Sequence, residues 1–166
     1  TLERIARHEA GHALVGWLCG MRPLQVTIVG RGSAGGYVQR DVDEDKIIYT
    51  KRELEDIICQ AMGGRAAEVI YYGEDEGLST GVAGDLRQAS QWAQRMIREY
   101  GMSDEVGQIF LGRDHDGAAF ADRVFSSSEQ IVAGQLRRGT DLLRDHRSEL
   151  DRLSSELLAK NRLTGE

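Results

Sequence analysis

Several residue types are scarce in this chain, and each scarcity excludes a class of protein. The 166 residues include two cysteines, one proline and 6% aromatic side chains. The two cysteines indicate neither a disulfide framework nor a thiolate zinc site, and they are typical of a reducing compartment. A single proline with 40% hydrophobic residues indicates a helix-rich globular protein with an aliphatic interior, and excludes a disordered chain.

Positive charge and long apolar runs are also scarce. Lys and Arg number 21 against 27 Asp and Glu, so the formal net charge is -6. This balance argues against a nucleic-acid partner, because affinity for nucleic acid depends mainly on Lys and Arg neutralising phosphates. No apolar run approaches the roughly 18 residues of a membrane span, and no secretory leader opens the chain. We therefore expect no nucleic-acid partner, no membrane contact by this chain itself, and a chain that is soluble as given.

Hydrophobic spacing predicts that the chain is mainly α. Apolar residues at helical spacing predict helices over residues 2–19, 51–71 and 85–100. Thr50 and Glu53 form a capping box at the start of the second helix. That helix contains Gly63-Gly64, a pair that costs helical stability and that we expect to pack closely against the first helix.

The remaining segments predict a little β structure and a helical C-terminal third. Two short, partly β-branched runs at 24–29 and 36–39, separated by a glycine-rich stretch, predict a small hairpin or sheet edge. Ser126 and Glu129 form a second potential capping box, and the leucines after it predict a long helix or a helical hairpin. Residues 102–124 are predicted to be a connection.

One short motif carries the strongest functional information. His8 and His12 are four residues apart on the first predicted helix, so both imidazoles lie on one face and can converge on one ion. Glu9 is turned about 100 degrees around the helix from His8, which places its carboxylate beside a metal rather than on it. The spacing is typical of zinc peptidases, in which such a carboxylate acts as a general base on water. The alternative is two surface histidines placed by chance. The small residues Ala10 and Gly11 argue against it, since a solvated face usually carries longer polar side chains.

A third protein ligand is required, and the residues alone leave several carboxylates open. The metzincin pattern needs a glycine and a histidine where this chain has Val15 and Leu18, so that class is excluded. The open candidates are Asp41, Asp43, Glu44, Glu68 and Asp85. The first three lie in a charged turn, for which a solvated surface is the alternative. Asp85 has an alternative role too, as a carboxylate that the dipole of the third helix favours at its N-terminus. The other two histidines, His115 and His146, are not expected to bind the metal.

Five blocks of the sequence follow the order of a known family. They span residues 8–14, 50–56, 63–68, 79–86 and 100–103. On these blocks the chain resembles the protease domain of the FtsH family of membrane-anchored, ATP-dependent zinc metalloproteases, and the likeness covers nearly the whole chain. It departs from the family at Ala83-Gly84, where a small polar pair is usual, and over residues 107–124.

The resemblance implies a site and its cofactor. One zinc ion per chain would be held by His8, His12 and Asp85, because Asp85 matches the aspartate of the family's Thr-Gly-x-x-x-Asp-Leu block. Glu9 would be the catalytic residue, and Glu68 would orient a histidine without binding the metal. The run 36–39 resembles a strand that pairs with an extended substrate backbone, with an ordinary hairpin strand as the alternative.

The resemblance also implies a function and an assembly. The expected fold is a mainly α, helical zinc-metallopeptidase domain over residues 1–166, with a metal-binding core at 1–105, a small β hairpin and a helical C-terminal part at 106–166. The expected function is a zinc endopeptidase that hydrolyses unfolded or membrane-extracted proteins as the proteolytic module of an ATP-dependent protease. ATP would bind only in an upstream module absent from this chain, which has no phosphate-binding loop.

The full-length protein would be a homo-hexamer anchored in a membrane, with this domain on the cytoplasmic, plastid stromal or mitochondrial matrix side. Two alternatives remain open. One is an ATP-independent zinc peptidase, and the other is a non-catalytic oligomerisation module.

Overall fold

The helices and strands are seen in a computed structural model that describes residues 1–30, 35–40, 44–112 and 118–165. The α-helices within these residues are α1 Leu2–Leu18, α2 Lys51–Ala61, α3 Gly63–Glu76, α4 Ala83–Arg98, α5 Ala118–Asp145 and α6 Arg147–Lys160. The strands are β1 Pro23–Thr27, β2 Tyr37–Arg40 and β3 Arg162–Thr164, and a short 3-10 turn, Thr80–Val82, precedes α4. The fold is mainly α with a small antiparallel sheet, which confirms the predicted class.

Most of helix α1 is buried, and it packs against α2, α3, α5, α6 and the sheet. Its contact with α3 depends on glycine. A Cβ added to Gly11 would lie 2.2 Å from the carbonyl oxygen of Gly63, and one added to Gly63 would lie 2.6 Å from the carbonyl oxygen of Gly11. The close packing expected of the Gly63-Gly64 pair against the first helix is therefore confirmed.

The helix predicted over residues 51–71 is two helices in the structure. Helix α2 begins at the predicted capping box, in which the Glu53 amide donates to Thr50 Oγ1 at 3.2 Å and the Thr50 amide donates to Glu53 Oε2 at 2.8 Å. Met62 separates α2 from α3, and the two glycines that follow it weaken the helical preference at this point. Helix α3 extends to Glu76, but it is kinked at Gly73, where φ is 80°, so the regular helix ends close to the predicted residue 71.

The capping box predicted at Ser126 and Glu129 is wrong. Both residues lie inside α5, which runs without a break from Ala118 to Asp145. A serine is tolerated within a helix when its hydroxyl bonds to the preceding turn, and Ser128 does so by donating to the carbonyl oxygen of Val124 at 2.7 Å. The helix therefore begins earlier than predicted. The C-terminal third forms two consecutive helices, α5 and α6.

The sheet has the strand order β2-β1-β3. The predicted hairpin of β1 and β2 is confirmed, with Val26 opposite Val38. Strand β3 was not predicted, and it places Leu163 opposite Val26 on the other side of β1. Among the described residues, β2 has no strand partner on its outer edge.

Two apolar clusters connect these elements. One joins α1, the sheet and the C-terminal helices around Val15, Leu143, Leu150 and Leu157. The other joins α2 and α4, with α5 packed against it, around Ile58 and Met96. No helix in the described part of the chain is long and apolar enough to cross a membrane.

Candidate metal centre

Helix α1 brings His8 and His12 to one point. Each is buried, with 8% of its surface exposed. The two imidazole rings meet edge to face, with their centroids 4.7 Å apart, and their Nε2 atoms are 3.0 Å apart. The four-residue spacing therefore places both imidazoles on one face of the helix, one turn apart, as helix geometry predicts.

Asp85 reaches the same point from the first turn of α4. Its Oδ2 lies 3.0 Å from Nε2 of His8 and 3.1 Å from Nε2 of His12. Of the other candidate carboxylates, Glu68 contacts the opposite nitrogen of His8, and Glu44 is exposed elsewhere. Asp41 and Asp43 lie outside the described residues, as does His115. Asp85 is thus the carboxylate that the structure brings to both imidazoles.

The outer nitrogen of each imidazole, Nδ1, already has a hydrogen-bond partner. Nδ1 of His12 is 2.8 Å from the carbonyl oxygen of Gln60, and Nδ1 of His8 is 2.7 Å from Oε1 of Glu68. Because a carbonyl or carboxylate oxygen can only accept, each Nδ1 donates, and in the neutral ring Nε2 then carries a lone pair. Both lone pairs point at the same oxygen of Asp85. In that tautomer three acceptors face one another and repel, and a shared proton or metal ion would relieve the repulsion.

A zinc ion fits this donor set. Two imidazole nitrogens and one carboxylate oxygen are common zinc ligands, and a catalytic site keeps a fourth position open. Donors at 2.0 to 2.1 Å around a tetrahedral ion lie about 3.4 Å apart, close to the 3.0–3.1 Å separations found here.

Charge favours a cation at the same point. Burial alone would lower the pKa of His8, but its hydrogen bonds with Asp85 and Glu68 raise it to about 9. Burial alone would raise the pKa of Asp85, but its hydrogen bonds with His12 and His8 hold it well below the usual range. The carboxylate is therefore ionised, and it attracts positive charge to the imidazoles.

Glu68 holds His8 in place without joining the three converging atoms. It is 2% exposed, and its oxygens accept from Nδ1 of His8 at 2.7 Å, from Nη1 of Arg4 at 2.6 Å and from Oγ of Ser79 at 3.1 Å. Burial tends to raise the pKa of Glu68, but these hydrogen bonds lower it. An acceptor on the outer nitrogen fixes the tautomer and the orientation of a ligating histidine.

Three further residues contribute to this centre that the sequence patterns did not indicate: Arg4, Ser79 and Gln60. Arg4 precedes His8 by one helical turn, a spacing that could have revealed it. Ser79 lies within one of the five blocks. Gln60 contributes its backbone carbonyl, a group that every residue type has, so the sequence does not reveal its role.

Gly64 forms the floor of the centre. A Cβ at this position would lie 2.4 Å from Nε2 of His8 and 2.6 Å from Nε2 of His12. The glycine pair thus has two functions, since Gly63 lets the helices approach and Gly64 leaves room for the imidazoles. Sequence analysis predicted the first of these and not the second.

Glu9 lies beside the converging atoms and faces the start of β2. It is 7% exposed, and a Cβ on Gly36 would come within 3.0 Å of its Oε1. Burial raises the pKa of Glu9, although the neighbouring His12 and His8 lower it in part. Among the described residues its carboxylate has no hydrogen-bond partner, so its oxygens are free to accept a proton.

An open cleft of about 720 Å³ leads to this group of residues. Its lining includes His8 and Glu9 of α1, Gly35 and Gly36 before β2, and residues 79–85 other than Val82.

These features together define a metallopeptidase of the zinc-binding class. Two imidazoles converge on a buried helix, a carboxylate joins them from a separate helix, and a free glutamate lies beside an open cleft. The family model for Peptidase family M41 matches residues 2–166, and the chain belongs to this family. The resemblance to the FtsH proteases is thereby confirmed.

Relatives from distant organisms agree with this assignment. The ATP-dependent zinc metalloprotease FtsH of Synechococcus sp. (strain JA-2-3B'a(2-13)) is 38% identical over 99% of this chain and 28% of its own length. The ATP-dependent zinc metalloprotease YME1 homolog of Schizosaccharomyces pombe is 38% identical over 97% of this chain and 23% of its own length. The FtsH protein of Staphylococcus haemolyticus is 35% identical over 98% of this chain and 24% of its own length. The chain thus spans about a quarter of the length of the curated relatives it matches.

Proposed function

We propose that the chain is a zinc-dependent endopeptidase domain in which His8, His12 and Asp85 hold one zinc ion and Glu9 is the general base. The observation that carries this proposal is the convergence of two imidazole Nε2 atoms and one carboxylate oxygen at separations of 3.0–3.1 Å. The position of Glu9 in the lining of the same open cleft supports a catalytic rather than a structural centre.

The chemistry is divided between the metal and the protein. Zinc, when bound, supplies a Lewis acid that polarises a peptide carbonyl and makes water more acidic. Glu9 accepts the proton of the attacking water with its free oxygens and then passes that proton to the leaving amine. Glu68 and the Gln60 carbonyl keep Nδ1 of each histidine protonated, so that both Nε2 lone pairs stay directed at one point.

We infer that the substrate is an extended polypeptide, from an unfolded or membrane-extracted protein. Strand β2 is at the edge of the sheet, and Gly35 and Gly36 immediately before it line the cleft. A peptide that adds to a strand edge binds through main-chain hydrogen bonds, which read little of the side-chain sequence. A folded protein does not offer such a free backbone.

We also infer the setting of the domain in a longer protein. The relatives are named ATP-dependent, yet this chain has no phosphate-binding loop, so ATP would act through a separate upstream module. The full-length protein would be a membrane-anchored homo-hexamer, with this domain on the cytoplasmic, stromal or matrix side. Within the chain, residues 1–105 would form the metal-binding core and residues 106–166 the helical C-terminal part.

A comparison of the wild type with Glu9→Gln tests the catalytic proposal. We expect both proteins to contain zinc, and casein cleavage by the variant to fall by about 10² to 10⁴, the usual contribution of a general base. Glu3→Gln is the matched control, because Glu3 is on the same helix but pairs with Arg7 at the surface. A Glu9→Gln variant as active as the wild type would refute the mechanism.

A further inference from the structure

Among the described residues, the buried carboxylate of Glu68 contacts one permanently charged cation in addition to the imidazole of His8. That charge is the guanidinium of Arg4, whose Nη1 lies 2.6 Å from Oε2 of Glu68. The other carboxylate oxygen receives His8 Nδ1 and the Ser79 hydroxyl. The Glu68 side chain is 3% exposed and the Arg4 side chain 30% exposed, so the pair lies at the boundary between the metal centre and solvent.

Arg4 is itself held from two directions. It precedes His8 by four residues on α1, and residues so spaced lie on one face of a helix. Its guanidinium lies over the ring of Tyr72, 4.0 Å from the centroid, and the Tyr72 hydroxyl accepts from Nη1 of Arg7 at 3.0 Å. Glu68 and Tyr72 are also four residues apart, on α3. One face of α3 thus supplies both groups that fix the Arg4 side chain.

We propose that Arg4 is a positioning residue for zinc, which acts by fixing the Glu68 carboxylate that in turn fixes the His8 ring. This inference rests on the proposed zinc site. When His8 serves as a neutral ligand, Arg4 is the cation that balances the buried charge of Glu68. A buried carboxylate that loses its cation is strongly unfavourable, and Glu68 would then turn toward solvent. His8 would lose the acceptor on Nδ1, and with it the orientation of Nε2.

The test is the zinc affinity of the 166-residue chain, measured by competition with a chromogenic chelator. Removing a group that orients a metal ligand typically weakens binding by about 10 to 100-fold, and we expect such a loss for Arg4→Met. Arg147→Met is the matched control, since Arg147 also lies over a tyrosine ring, that of Tyr71, but pairs with Asp151 instead of Glu68. We expect its zinc affinity to stay close to that of the wild type, well short of the loss of about 10 to 100-fold that follows removal of an orienting group. An equal loss in both variants, or wild-type affinity in Arg4→Met, would overturn the proposal.

A double-mutant cycle shows whether Arg4 acts through Glu68. In a Glu68→Gln background, Arg4→Met should weaken zinc binding by less than about threefold, because coupled residues are not additive. A full additional loss would overturn the proposal. Arg4→Gln guards against misfolding of the methionine variant, and it should also lose about tenfold or more in affinity. Affinity is measured without turnover, so a wild type that binds zinc but does not cleave casein would refute the proposed function while leaving the positioning role of Arg4 intact.

Discussion

Replacing Gly64 with alanine places one methyl group in the centre of the proposed metal site. The new Cβ would lie 2.4 Å from both Cε1 and Nε2 of His8 and 2.6 Å from Nε2 of His12. Ordinary van der Waals contacts of a Cβ begin near 3.4 Å, so about 1 Å of overlap must be relieved. The imidazoles cannot simply move apart, because the outer nitrogen of each is held by Glu68 or by the Gln60 carbonyl.

The magnitude follows from this overlap. A misplacement of about 1 Å can cost about 10²-fold in catalytic rate, and we expect a comparable loss when the misplaced groups are the ligands of a metal. Zinc affinity should therefore fall by at least about 100-fold, which corresponds to about 2.8 kcal/mol. Overpacking should also lower the free energy of unfolding of the metal-free protein by about 1 to 3 kcal/mol.

Chelator competition measures the zinc affinity, and urea denaturation of the metal-free protein measures the stability. Gly84→Ala is the control. This position lies beside Asp85 in the same cleft, but an added Cβ meets no atom within 4 Å among the described residues. We expect Gly84→Ala to bind zinc as the wild type does. A Gly64→Ala variant with wild-type zinc affinity would refute the reasoning about the floor of the site.

Further predictions concern stability. Thr50→Ala should lower the free energy of unfolding by about 1 kcal/mol through loss of the helix cap while leaving zinc affinity unchanged. A urea denaturation curve that gives the wild-type free energy of unfolding would contradict this prediction. Gly11→Ala should destabilise the protein by about 1 to 3 kcal/mol, because its Cβ would lie 2.2 Å from the Gly63 carbonyl oxygen. A variant with the wild-type melting temperature would contradict this prediction. Removal of zinc with EDTA should lower the melting temperature in calorimetry, since free zinc at 100 times its Kd stabilises the folded state by about 2.7 kcal/mol. A melting temperature that neither falls with EDTA nor recovers with zinc would contradict this prediction.

Sequence patterns predicted the features that depend on local geometry. Helix α1 and helix α4 were predicted to within two residues at each end, because helical periodicity and end signals are local. The convergence of His8 and His12 is likewise a property of one helix. The approach of Asp85, 73 residues further along the chain than His12, depends on tertiary packing. Spacing alone left several carboxylates open, and the family resemblance selected Asp85.

Features decided by long-range packing escaped prediction. Strand β3 has three residues, too few to show an alternating pattern, and it forms only because β1 offers an edge. Ser126 resembled a helix cap, but the helix continues through it. The break at Met62 was obscured by apolar spacing that continues across it. The acceptor for His12 is the backbone carbonyl of Gln60, which any residue type could supply.

The central claim is that one zinc ion is bound jointly by two residues of α1 and one residue of α4. The most direct measurement is an anomalous-difference map from crystals of the zinc-loaded protein, collected on both sides of the zinc absorption edge. We predict a single peak at about 2.0 to 2.2 Å from Nε2 of His8, Nε2 of His12 and a carboxylate oxygen of Asp85. A zinc peak bound elsewhere, or bound to the histidines with Asp85 turned away, would contradict it.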